Sequence, residues 1–184
     1  MGNGADGYRR FLDGDNSGII EIVREYRDGL LLYLNSYVNN LSIAEDCVQD
    51  TFIKLVIKKP KFREQSSFKT WLYAIGRNIV IDYFRKKSNS IAGSLDEHEV
   101  LAAETDLERE YLKEEQKIIL YRTIKKLKAD YQQVLILTYF EDFSIREASK
   151  IMDKSKKQVE NLLYNSKKTL RSELEKEGFI YDEL

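Results

Sequence analysis

Four polar side chains near the C-terminal end of the sequence are spaced as DNA-reading residues on one face of a helix would be. Lys157, Asn161, Tyr164 and Lys168 follow one another at intervals of four, three and four residues, which places them in one stripe if the segment is helical. Lysine suits phosphate or guanine, asparagine suits adenine, and tyrosine suits a phosphate or a thymine methyl group. With their neighbours, these residues define a candidate surface for the DNA major groove: Lys156, Lys157, Gln158, Glu160, Asn161, Tyr164 and Lys168.

Glu160 lies beside this stripe and is compatible with it, because a carboxylate can accept a hydrogen bond from cytosine N4. A Ser or Thr followed three residues later by Glu or Gln is a capping-box pattern that predicts a helix start. It occurs four times: Ser42 with Glu45, Thr105 with Glu108, Ser144 with Glu147, and Ser155 with Gln158. Two short helices around a tight turn have the layout of a helix-turn-helix. The turn sequence MDKS lacks the usual glycine, so a solvated charged helix in a bundle is the alternative for this segment.

A second group of side chains, between residues 61 and 87, combines basic with aromatic residues. Positive charge that follows phosphates, together with aromatic faces on which bases stack, is what a protein needs to hold a single strand. The loop 61–67 also offers polar groups for an extruded base. Phe68 and Trp71 have the helical spacing of core residues, so a structural role is favoured for both. The candidate contacts are loop residues and polar residues off the apolar stripe: Lys61, Arg63, Ser66, Ser67, Arg77, Asn78, Arg85 and Lys86.

The helix predicted over residues 42–58 has a different outer face. Its candidate contact residues form a polar, acidic strip with one apolar member: Asp46, Gln49, Asp50 and Ile53. Such a strip repels DNA but is complementary to a basic helical partner. The alternative is a face that is merely solvated, as the outer faces of most surface helices are.

The elements that carry these residues are predicted to be helices. One proline and nine glycines among 184 residues leave little material for the turns of an all-β fold, and apolar residues recur three and four positions apart. We therefore expect an all-α protein of two small helical domains joined by a flexible acidic linker, with a helix-turn-helix in the C-terminal domain. The predicted domains span 1–87 and 106–184, with the linker over 88–105, and the predicted helices span 19–38, 42–58, 68–87, 106–127, 130–140, 144–152 and 155–175.

The net charge of −1 conceals an uneven distribution of charge along the chain. Basic residues dominate over 54–87 and again over 144–171, and the segment LDEHEVLAAETDLERE between them is acidic. Because the affinity for DNA depends on how many phosphates are neutralised together, positive charge confined to two patches predicts weak binding to naked DNA. We therefore expect a partner that presents both patches at once.

Catalytic and metal sites are not expected. Cys47 is the only cysteine and His98 the only histidine, so an internal disulfide and a zinc cluster are excluded, and no glycine-rich phosphate loop occurs. Adventitious metal binding by the sequence DEHE is the alternative. The longest apolar runs are far shorter than the ~18 residues that span a bilayer, and the N-terminal residues lack the pattern of an export signal. We expect a cytoplasmic protein without a cofactor or a small-molecule substrate.

Three motifs in the sequence resemble those of one protein family. The first is AEDCVQDTFIKL, which resembles the AED-x-x-Q-[DE]-x-F segment that docks on the polymerase clamp. The second is SSFKTWLYAIGRNIVIDYFRKK, which resembles the F-x-x-W-L-x-x-I-[AG]-x-N-x-x-x-D-x-x-R segment that handles the minus-ten element. The third is LKADYQQVLILTYFEDFSIREASKIMDKSKKQVENLL, which resembles the domain that reads the minus-thirty-five element. From about residue 19 to residue 174 the chain is therefore similar to a bacterial RNA polymerase sigma factor of the extracytoplasmic-function type, group IV of the sigma-70 family.

The resemblance implies a sigma factor, not an enzyme, that binds core RNA polymerase and directs promoter-specific transcription initiation. It implies that residues 1–87 form a region 2-like domain, in which the acidic strip binds the polymerase, the loop 61–67 captures an unpaired base, and the basic helix handles the minus-ten element. Residues 106–184 would form a region 4-like domain that reads the minus-thirty-five element. One departure is that family members often carry Lys or Arg where this chain has Glu160 and Leu162.

The resemblance also implies the partners. They are the beta and beta-prime subunits of core RNA polymerase, promoter DNA and an anti-sigma factor, with no direct insertion into a membrane. Two other classes of protein fit parts of the pattern. A stand-alone helix-turn-helix regulator would use only the C-terminal helix pair and would usually dimerise on a two-fold site. A helical adaptor would bind protein only, with both basic patches solvated.

Overall fold

The computed structural model of the protein describes residues 4–90 and 115–176, and every regular element in these two ranges is a helix. The described residues form two compact units, one in each range, with residues 150–153 as the exception. The prediction of an all-α protein with two helical domains is confirmed. The predicted linker over 88–105 begins inside the last turn of a helix that ends at Ser90, and the rest of it lies outside the described residues.

The first unit consists of four helices: α1 (Gly4–Leu12), α2 (Ser17–Val38), α3 (Leu41–Lys58) and α4 (Phe68–Ser90). The last three correspond to the helices predicted over 19–38, 42–58 and 68–87. Helix α2 is the centre of this unit, because residues 29–36 are all buried. A helix that is buried all round must be covered by neighbours on every side, and α1, α3 and α4 all pack against α2.

Helix α1 was not predicted from the sequence. It is short and contains Gly4 and Gly7, and glycine disfavours a helix. Tertiary packing compensates: Tyr8 is buried, its hydroxyl donates to the carbonyl oxygen of Pro60 at 2.9 Å, and its ring lies 5.4 Å from that of Trp71. Burial raises the pKa of Tyr8 to about 12. The glycines that weaken the helix signal are therefore part of the reason why α1 can pack closely.

The contact between α1 and α2 depends on two glycines that face each other. A Cβ atom on Gly18 would overlap the carbonyl group of Gly7 and would lie 3.1 Å from the backbone nitrogen of Phe11. Each of these neighbours belongs to the backbone of α1, so none of them can turn aside as a side chain could. The two helices therefore approach to a distance that only glycine permits at position 18.

The second unit contains α5 (Glu115–Lys125), α6 (Ala129–Leu135), a π-helical turn over Ile136–Phe140 that continues α6, α7 (Ile145–Met152) and α8 (Lys156–Lys176). The predicted helices over 130–140, 144–152 and 155–175 are present within a few residues. The helix predicted over 106–127 is described only from Glu115, because residues 106–114 lie outside the described ranges. Residues 134–137 of α6 and the π-helical turn are buried and form the centre of this core.

The helix starts depend on side-chain caps, and one predicted cap was wrong. At α3 the Asn40 side chain accepts from the backbone nitrogen of Ile43 at 3.1 Å, so the helix begins before Ser42. Asparagine caps a helix as well as serine does, and it stands earlier in the chain. The capping boxes of α7 and α8 are confirmed: the nitrogen of Glu147 donates to Ser144 Oγ, and the nitrogen of Gln158 donates to Ser155 Oγ. The box predicted at Thr105 lies outside the described residues.

The turn between α7 and α8 explains how a helix-turn-helix forms without the usual glycine. Asp153 adopts the left-handed conformation with φ 54°, which aspartate tolerates better than most residues. The backbone nitrogen of Lys154 then donates to the carbonyl oxygen of Ser149 at 3.0 Å, as in the motif that commonly ends a helix at glycine. The absence of a turn glycine therefore does not count against the helix-turn-helix.

Replacing Gly18 with alanine should destabilise the first unit by about 2 to 3 kcal/mol, the upper range for overpacking. The steric cost should exceed the ~1 kcal/mol by which alanine favours a helix over glycine. Trp71 is the only tryptophan and packs in this unit, so urea unfolding of the full chain followed by tryptophan fluorescence measures the effect. The control is Ile20→Ala on the exposed side of the same helix, which should change stability by less than about 0.5 kcal/mol. Equal stability of Gly18→Ala and the unaltered chain would contradict the close approach.

Candidate nucleic-acid and protein-binding surfaces

The acidic strip predicted on α3 lies on its exposed face. Asp46, Gln49 and Asp50 are exposed, and Ile53 retains 49% of its accessible surface. The opposite face packs in the core through its apolar residues: Ala44, Cys47, Val48, Phe52 and Leu55. The structure therefore brings the four predicted residues together on one side of one helix.

The exposed strip extends further than the sequence analysis predicted. Val56 and Ile57 are 42% and 68% exposed, and they lie three and four residues after Ile53, one helical turn along the same side. The signal was present in the sequence as apolar residues at i+3 and i+4 from Ile53. We define the α3 strip as an acidic half followed by an apolar half: Asp46, Gln49, Asp50, Ile53, Val56 and Ile57.

Cys47 follows Asp46 in α3 and is buried. Burial, together with the nearby carboxylates of Asp50 and Asp46, raises the pKa of its thiol to about 11. The thiol is therefore protonated at neutral pH. Since the thiolate is the reactive form of cysteine, Cys47 serves packing in this fold.

The loop between α3 and α4 is anchored by its aromatic residue and presents its cations to solvent. The ring of Phe62 lies 5.6 Å from that of Phe68 and 5.2 Å from that of Trp71, whereas Lys61 and Arg63 are exposed. Phe68 is buried and Trp71 is half-buried, in agreement with the structural role favoured from the sequence. An aromatic anchor beneath exposed cations gives the loop a fixed base from which to contact a ligand.

The two serines of the loop differ in their surroundings. Ser66 is half-buried, whereas Ser67 is exposed in front of α4. The Ser67 hydroxyl accepts from the backbone nitrogen of Thr70 at 3.2 Å and lies 2.7 Å from the Thr70 hydroxyl. Ser67 thus caps the start of α4. Its predicted contact with a base must be compatible with this structural bond.

The polar residues of α4 are distributed around more than one side of the helix. Asn78 and Arg85 are exposed and lie seven residues apart, nearly two turns, so they share a side. Lys86 is exposed about 100° further round. Arg85 is bound to Asp82. The structure therefore groups Asn78 with Arg85 and separates both from Lys86.

Arg77 is half-buried, whereas Arg85, Lys86 and Lys87 further along α4 are exposed. Its Nη1 lies 3.3 Å from Oδ1 of Asn78, and its positive charge opposes part of the shift that burial imposes on the fully buried Tyr33. Burial raises the pKa of Tyr33 well above its usual value, and the neighbouring Tyr37 adds to this effect. The Tyr33 hydroxyl lies 2.8 Å from that of Tyr37. Arg77 is therefore a partly enclosed cation next to a pair of tyrosines.

The stripe predicted on α8 faces solvent. Lys157, Asn161 and Lys168 are exposed, and Tyr164 is 72% exposed. The buried residues of the helix lie on the other side: Val159, Ser166, Leu170 and Leu174. Leu162 is half-buried and belongs to the edge of the apolar face. The four stripe residues therefore form one polar surface on one side of α8.

Three neighbours of this stripe are already engaged within α8. Glu160 Oε1 lies 3.6 Å from Lys156 Nζ, and the side-chain oxygen of Gln158 accepts from the backbone nitrogen of Ser155 at 2.7 Å. The carboxylate of Glu160 is thus partly neutralised, and Gln158 stabilises the helix start. This pairing reduces the repulsion that Glu160 would otherwise exert on DNA.

Over 4–90 and 115–176, no group of three or more His, Cys, Asp or Glu side chains is placed to hold a metal ion. In those ranges no helix is both long enough and apolar enough to cross a membrane. His98 and the sequence DEHE, which were considered as an adventitious metal site, lie outside the described residues.

Comparison with known proteins identifies both helical units. The family model for Sigma-70 region 2 matches residues 22–90, and the model for Sigma-70, region 4 matches residues 117–170. RNA polymerase sigma factor YlaC of Bacillus subtilis (strain 168) is 31% identical over 160 residues, which are 86% of this chain and 92% of that protein. ECF RNA polymerase sigma factor SigM of the same organism is 29% identical over 160 residues, covering 84% of this chain and 93% of that protein.

Two solved structures share the fold. CnrH, solved in complex with the cytosolic domain of CnrY, has a TM-score of 0.61 and 21% identity, with 94% of both chains covered. The sigma factor RpoE, solved with the anti-sigma factor NepR from Bartonella quintana, has a TM-score of 0.60 and 22% identity, with 84% of this chain and 97% of that chain covered. Together with the family models and the relatives, the two units in this order establish that the chain belongs to the sigma-70 family, as an RNA polymerase sigma factor of the extracytoplasmic-function type.

Proposed function

We propose that this sigma factor directs promoter-specific initiation through three separate surfaces, each with one partner. The observation that carries the proposal is their chemical difference: the α3 strip is acidic and apolar, the loop 61–67 with α4 is basic and aromatic, and the α8 stripe is polar and basic. Each surface suits a different ligand by charge. The α3 strip suits core polymerase, the second surface suits unpaired bases of the minus-ten element, and the α8 stripe suits the major groove of the minus-thirty-five element.

The α3 strip is the proposed core-binding site, formed by Asp46, Gln49, Asp50 and Ile53 and extended by Val56 and Ile57. An interface with an apolar centre and a charged margin is stabilised by burial and directed by charge. Ile57 is the most exposed large apolar residue on α3, and its burial by a partner would remove apolar surface from water. The complementary surface on the polymerase is a helix with apolar residues opposite Ile57 and basic residues opposite Asp46 and Asp50.

The minus-ten surface is proposed to act during opening of the duplex. Arg77, Asn78, Arg85 and Lys86 would contact the strand from α4, and the loop would hold an extruded base with the remaining contacts: Lys61, Arg63, Ser66 and Ser67. Unstacking a base costs a few kcal/mol, and stacking on aromatic side chains contributes about 1 to 3 kcal/mol per base. Capture of unpaired bases therefore offsets melting. No covalent chemistry by the sigma factor is required.

The α8 stripe is proposed to read the upstream element. Lys157, Asn161, Tyr164 and Lys168 are the direct contacts, and Lys156, Gln158 and Glu160 lie at the margin near the helix start, where their internal bonds constrain them. A recognition helix places its N-terminal residues against base edges. Binding of residues 1–87 and 106–184 to one polymerase, with 88–105 as the tether, turns two weak DNA contacts into one strong contact.

Two features of the proposal follow from relatives. CnrH and RpoE were solved with the cytosolic domain of CnrY and with the anti-sigma factor NepR, which supports an anti-sigma factor as a partner of this chain. Because the proposed activity acts on bacterial RNA polymerase and chromosomal promoters, we propose that the protein acts in the cytoplasm. The protein would act there without a catalytic site or cofactor of its own.

The unaltered chain should bind promoter DNA strongly only when core polymerase is present, because neither basic surface alone neutralises many phosphates. Promoter fragments are first selected by transcribing genomic DNA with reconstituted holoenzyme and mapping the start sites. Gel shift with and without core polymerase then measures the dependence. Strong binding without core would instead support a stand-alone regulator, and binding in neither condition would support a protein adaptor.

Reversing one charge in the α3 strip should weaken core binding. Asp50→Lys places a cation where a basic partner surface is expected, so the affinity for core polymerase should fall at least tenfold, since like charges across an interface cost several kcal/mol. Asp13→Lys makes the same charge change at an exposed site in the turn after α1 and should leave the affinity unchanged. Co-purification of the Asp50→Lys chain with core at the unaltered yield would argue against this assignment.

Removing one polar side chain of the α8 stripe should weaken recognition of the upstream element selectively. Asn161→Ala should reduce affinity for the promoter by about 1 to 3 kcal/mol if a bidentate base contact is lost, and should reduce discrimination against fragments with an altered upstream element. Ser172→Ala lies on the same side of α8 but about 16 Å further along it, so it serves as the control. An unchanged footprint and unchanged discrimination for Asn161→Ala would contradict the assignment.

A further inference from the structure

Helix α1 belongs to none of the three surfaces assigned above, yet it packs against the segment that joins α3 to α4. We define this segment, residues 59–67, as the α3–α4 loop. Three side chains of α1 contact the loop or the residues beneath it: Tyr8, Arg9 and Phe11. We propose that α1 positions the α3–α4 loop for capture of an unpaired minus-ten base without itself contacting DNA. This inference rests on the base-capturing role proposed for the loop and adds the element that holds the loop in place.

The contact from Tyr8 joins the core to the start of the loop. Its hydroxyl donates to the carbonyl oxygen of Pro60 at 2.9 Å, across 52 positions of sequence. Tyr8 is only 2% exposed, and a buried hydroxyl that loses its acceptor is strongly disfavoured. Movement of Pro60 away from α1 is therefore opposed. The hydrogen bond fixes the first part of the loop on α1.

Two further contacts from α1 hold the loop where its backbone is unusual. Lys59 Nζ lies 5.1 Å from the centre of the Phe11 ring, and Arg9 Nη2 lies 3.4 Å from Oε1 of Glu64. Lys59 and Glu64 both have positive φ angles, 44° and 55°, in a region that residues other than glycine seldom adopt. Because this conformation is disfavoured for residues with a Cβ, contacts from outside the loop help to maintain it at both points.

The rings beneath the loop connect α1 to its inner side. The ring of Tyr8 lies 5.7 Å from that of Phe68 and 5.4 Å from that of Trp71. Phe62, the aromatic anchor of the loop, packs against the same two rings. Tyr8 and Phe62 therefore share their neighbours at the start of α4. Through Tyr8, α1 contacts both the backbone of the loop and the cluster on which the loop rests.

The cations of α1 are paired with carboxylates. Arg9 also lies 3.6 Å from Asp6, and Arg10 Nη1 lies 3.0 Å from Oδ2 of Asp15 and is further bound to Glu21. Affinity for DNA depends on cations that neutralise phosphates, so cations paired within the protein suit α1 to hold the loop and not to bind DNA. The bonds of Arg10 also join the end of α1 to the start of α2, which fixes α1 itself.

A loop that is held in one conformation binds with a smaller loss of conformational entropy than a loop that must first be ordered. If only part of the loop population has the competent conformation, the apparent affinity falls in the same proportion. Helix α1 therefore strengthens base capture by raising the competent fraction of the α3–α4 loop. The effect requires no atom of α1 to touch the base.

Tyr8→Phe tests the anchor directly, because it keeps the ring and removes only the hydroxyl. Hydrogen–deuterium exchange of residues 59–67 in the full chain alone should accelerate about threefold to tenfold, the effect of one lost hydrogen bond. The matched control is Thr51→Val, which removes a buried hydroxyl that donates to the carbonyl oxygen of Cys47 at 2.7 Å within α3. Thr51→Val should leave exchange in the loop unchanged. Equal exchange in the unaltered and Tyr8→Phe chains would overturn the proposal.

The functional readout is unstacking of a minus-ten base in the holoenzyme complex. Selected promoter fragments carry a fluorescent base analogue in the minus-ten element that brightens when it is unstacked. Tyr8→Phe should lower the equilibrium constant for unstacking by about the same threefold to tenfold. Core affinity and discrimination against an altered upstream element should not change. If Tyr8 serves stability alone, Tyr8→Phe and Thr51→Val will both leave unstacking unchanged, which would overturn the proposal.

Arg9→Gln is a second variant, at an exposed site where the fold does not depend on the side chain. It should lower the unstacking constant only about twofold, since an exposed ion pair contributes little, and Arg9→Lys should restore the unaltered value. In a Glu64→Gln chain, Arg9→Gln should have no further effect, because the partner through which Arg9 acts is already neutral. A further loss in that chain would mean that Arg9 contacts DNA itself, which contradicts a positioning role.

Arg63→Gln distinguishes failure of this inference from failure of the proposed function, because Arg63 is a proposed contact of the loop with the strand. Reduced unstacking in Arg63→Gln but not in Tyr8→Phe would show that the loop captures the base without help from α1, and only the inference would fail. Unchanged unstacking in both variants would mean that the loop does not capture the base. The proposed function of the loop would then fail together with the inference.

Discussion

The burial of the middle of α2 is the constraint on which the first unit depends. Residues 29–36 are enclosed on all sides, so α1, α3 and α4 must each turn an apolar or small-residue face toward α2. At Gly76 of α4, an added Cβ would lie 3.0 Å from Leu30 Cδ1, which shows how closely these helices approach. Fixing the inward faces also fixes the outward ones. One small core therefore holds the helices that carry the α3 strip and the polar residues of α4 in a fixed arrangement. A partner bound to α3 orients α4 as well.

The spacing of hydrophobic residues was sufficient to predict helices α2, α3 and α4 and the sides on which their polar residues lie. Each of these helices has either one apolar stripe that faces its neighbouring helices or a long apolar run. It was not sufficient for α1, whose Gly4 and Gly7 lower helix propensity and whose stability derives from Tyr8 and Phe11 packing on distant residues. The predicted cap at Ser42 failed for a local reason, since Asn40 competes for the same helix start. Val56 and Ile57 were missed because the sequence alone does not distinguish exposed apolar residues on a helix from core residues. Only the burial of the opposite face of α3 shows that they lie on the surface.

The second unit shows how local chemistry substitutes for a motif residue. Sequence alone left the helix-turn-helix open because MDKS lacks glycine, and only the backbone conformation reveals that Asp153 takes the left-handed position. The same holds for Glu160. Its pairing with Lys156 depends on the helix register, and it turns an apparent mismatch with DNA into a locally compensated charge. Sequence patterns identified which residues lie on the polar side of α8, but not which of them are occupied by caps and pairs.

The distribution of charge explains how a sigma factor with a net charge of −1 can bind DNA. At physiological ionic strength, electrostatic attraction decays over about 8 Å, so charges on separate surfaces do not reinforce one another through solvent. In the proposed mechanism, each basic surface acts alone until a rigid partner fixes its position along the same duplex, and the two contributions then combine through effective concentration. An acidic surface for contact with that partner fits this separation of charges. Under the proposed assignment, the negative charge keeps the α3 strip away from DNA, so the polymerase would bind a face for which nucleic acid does not compete.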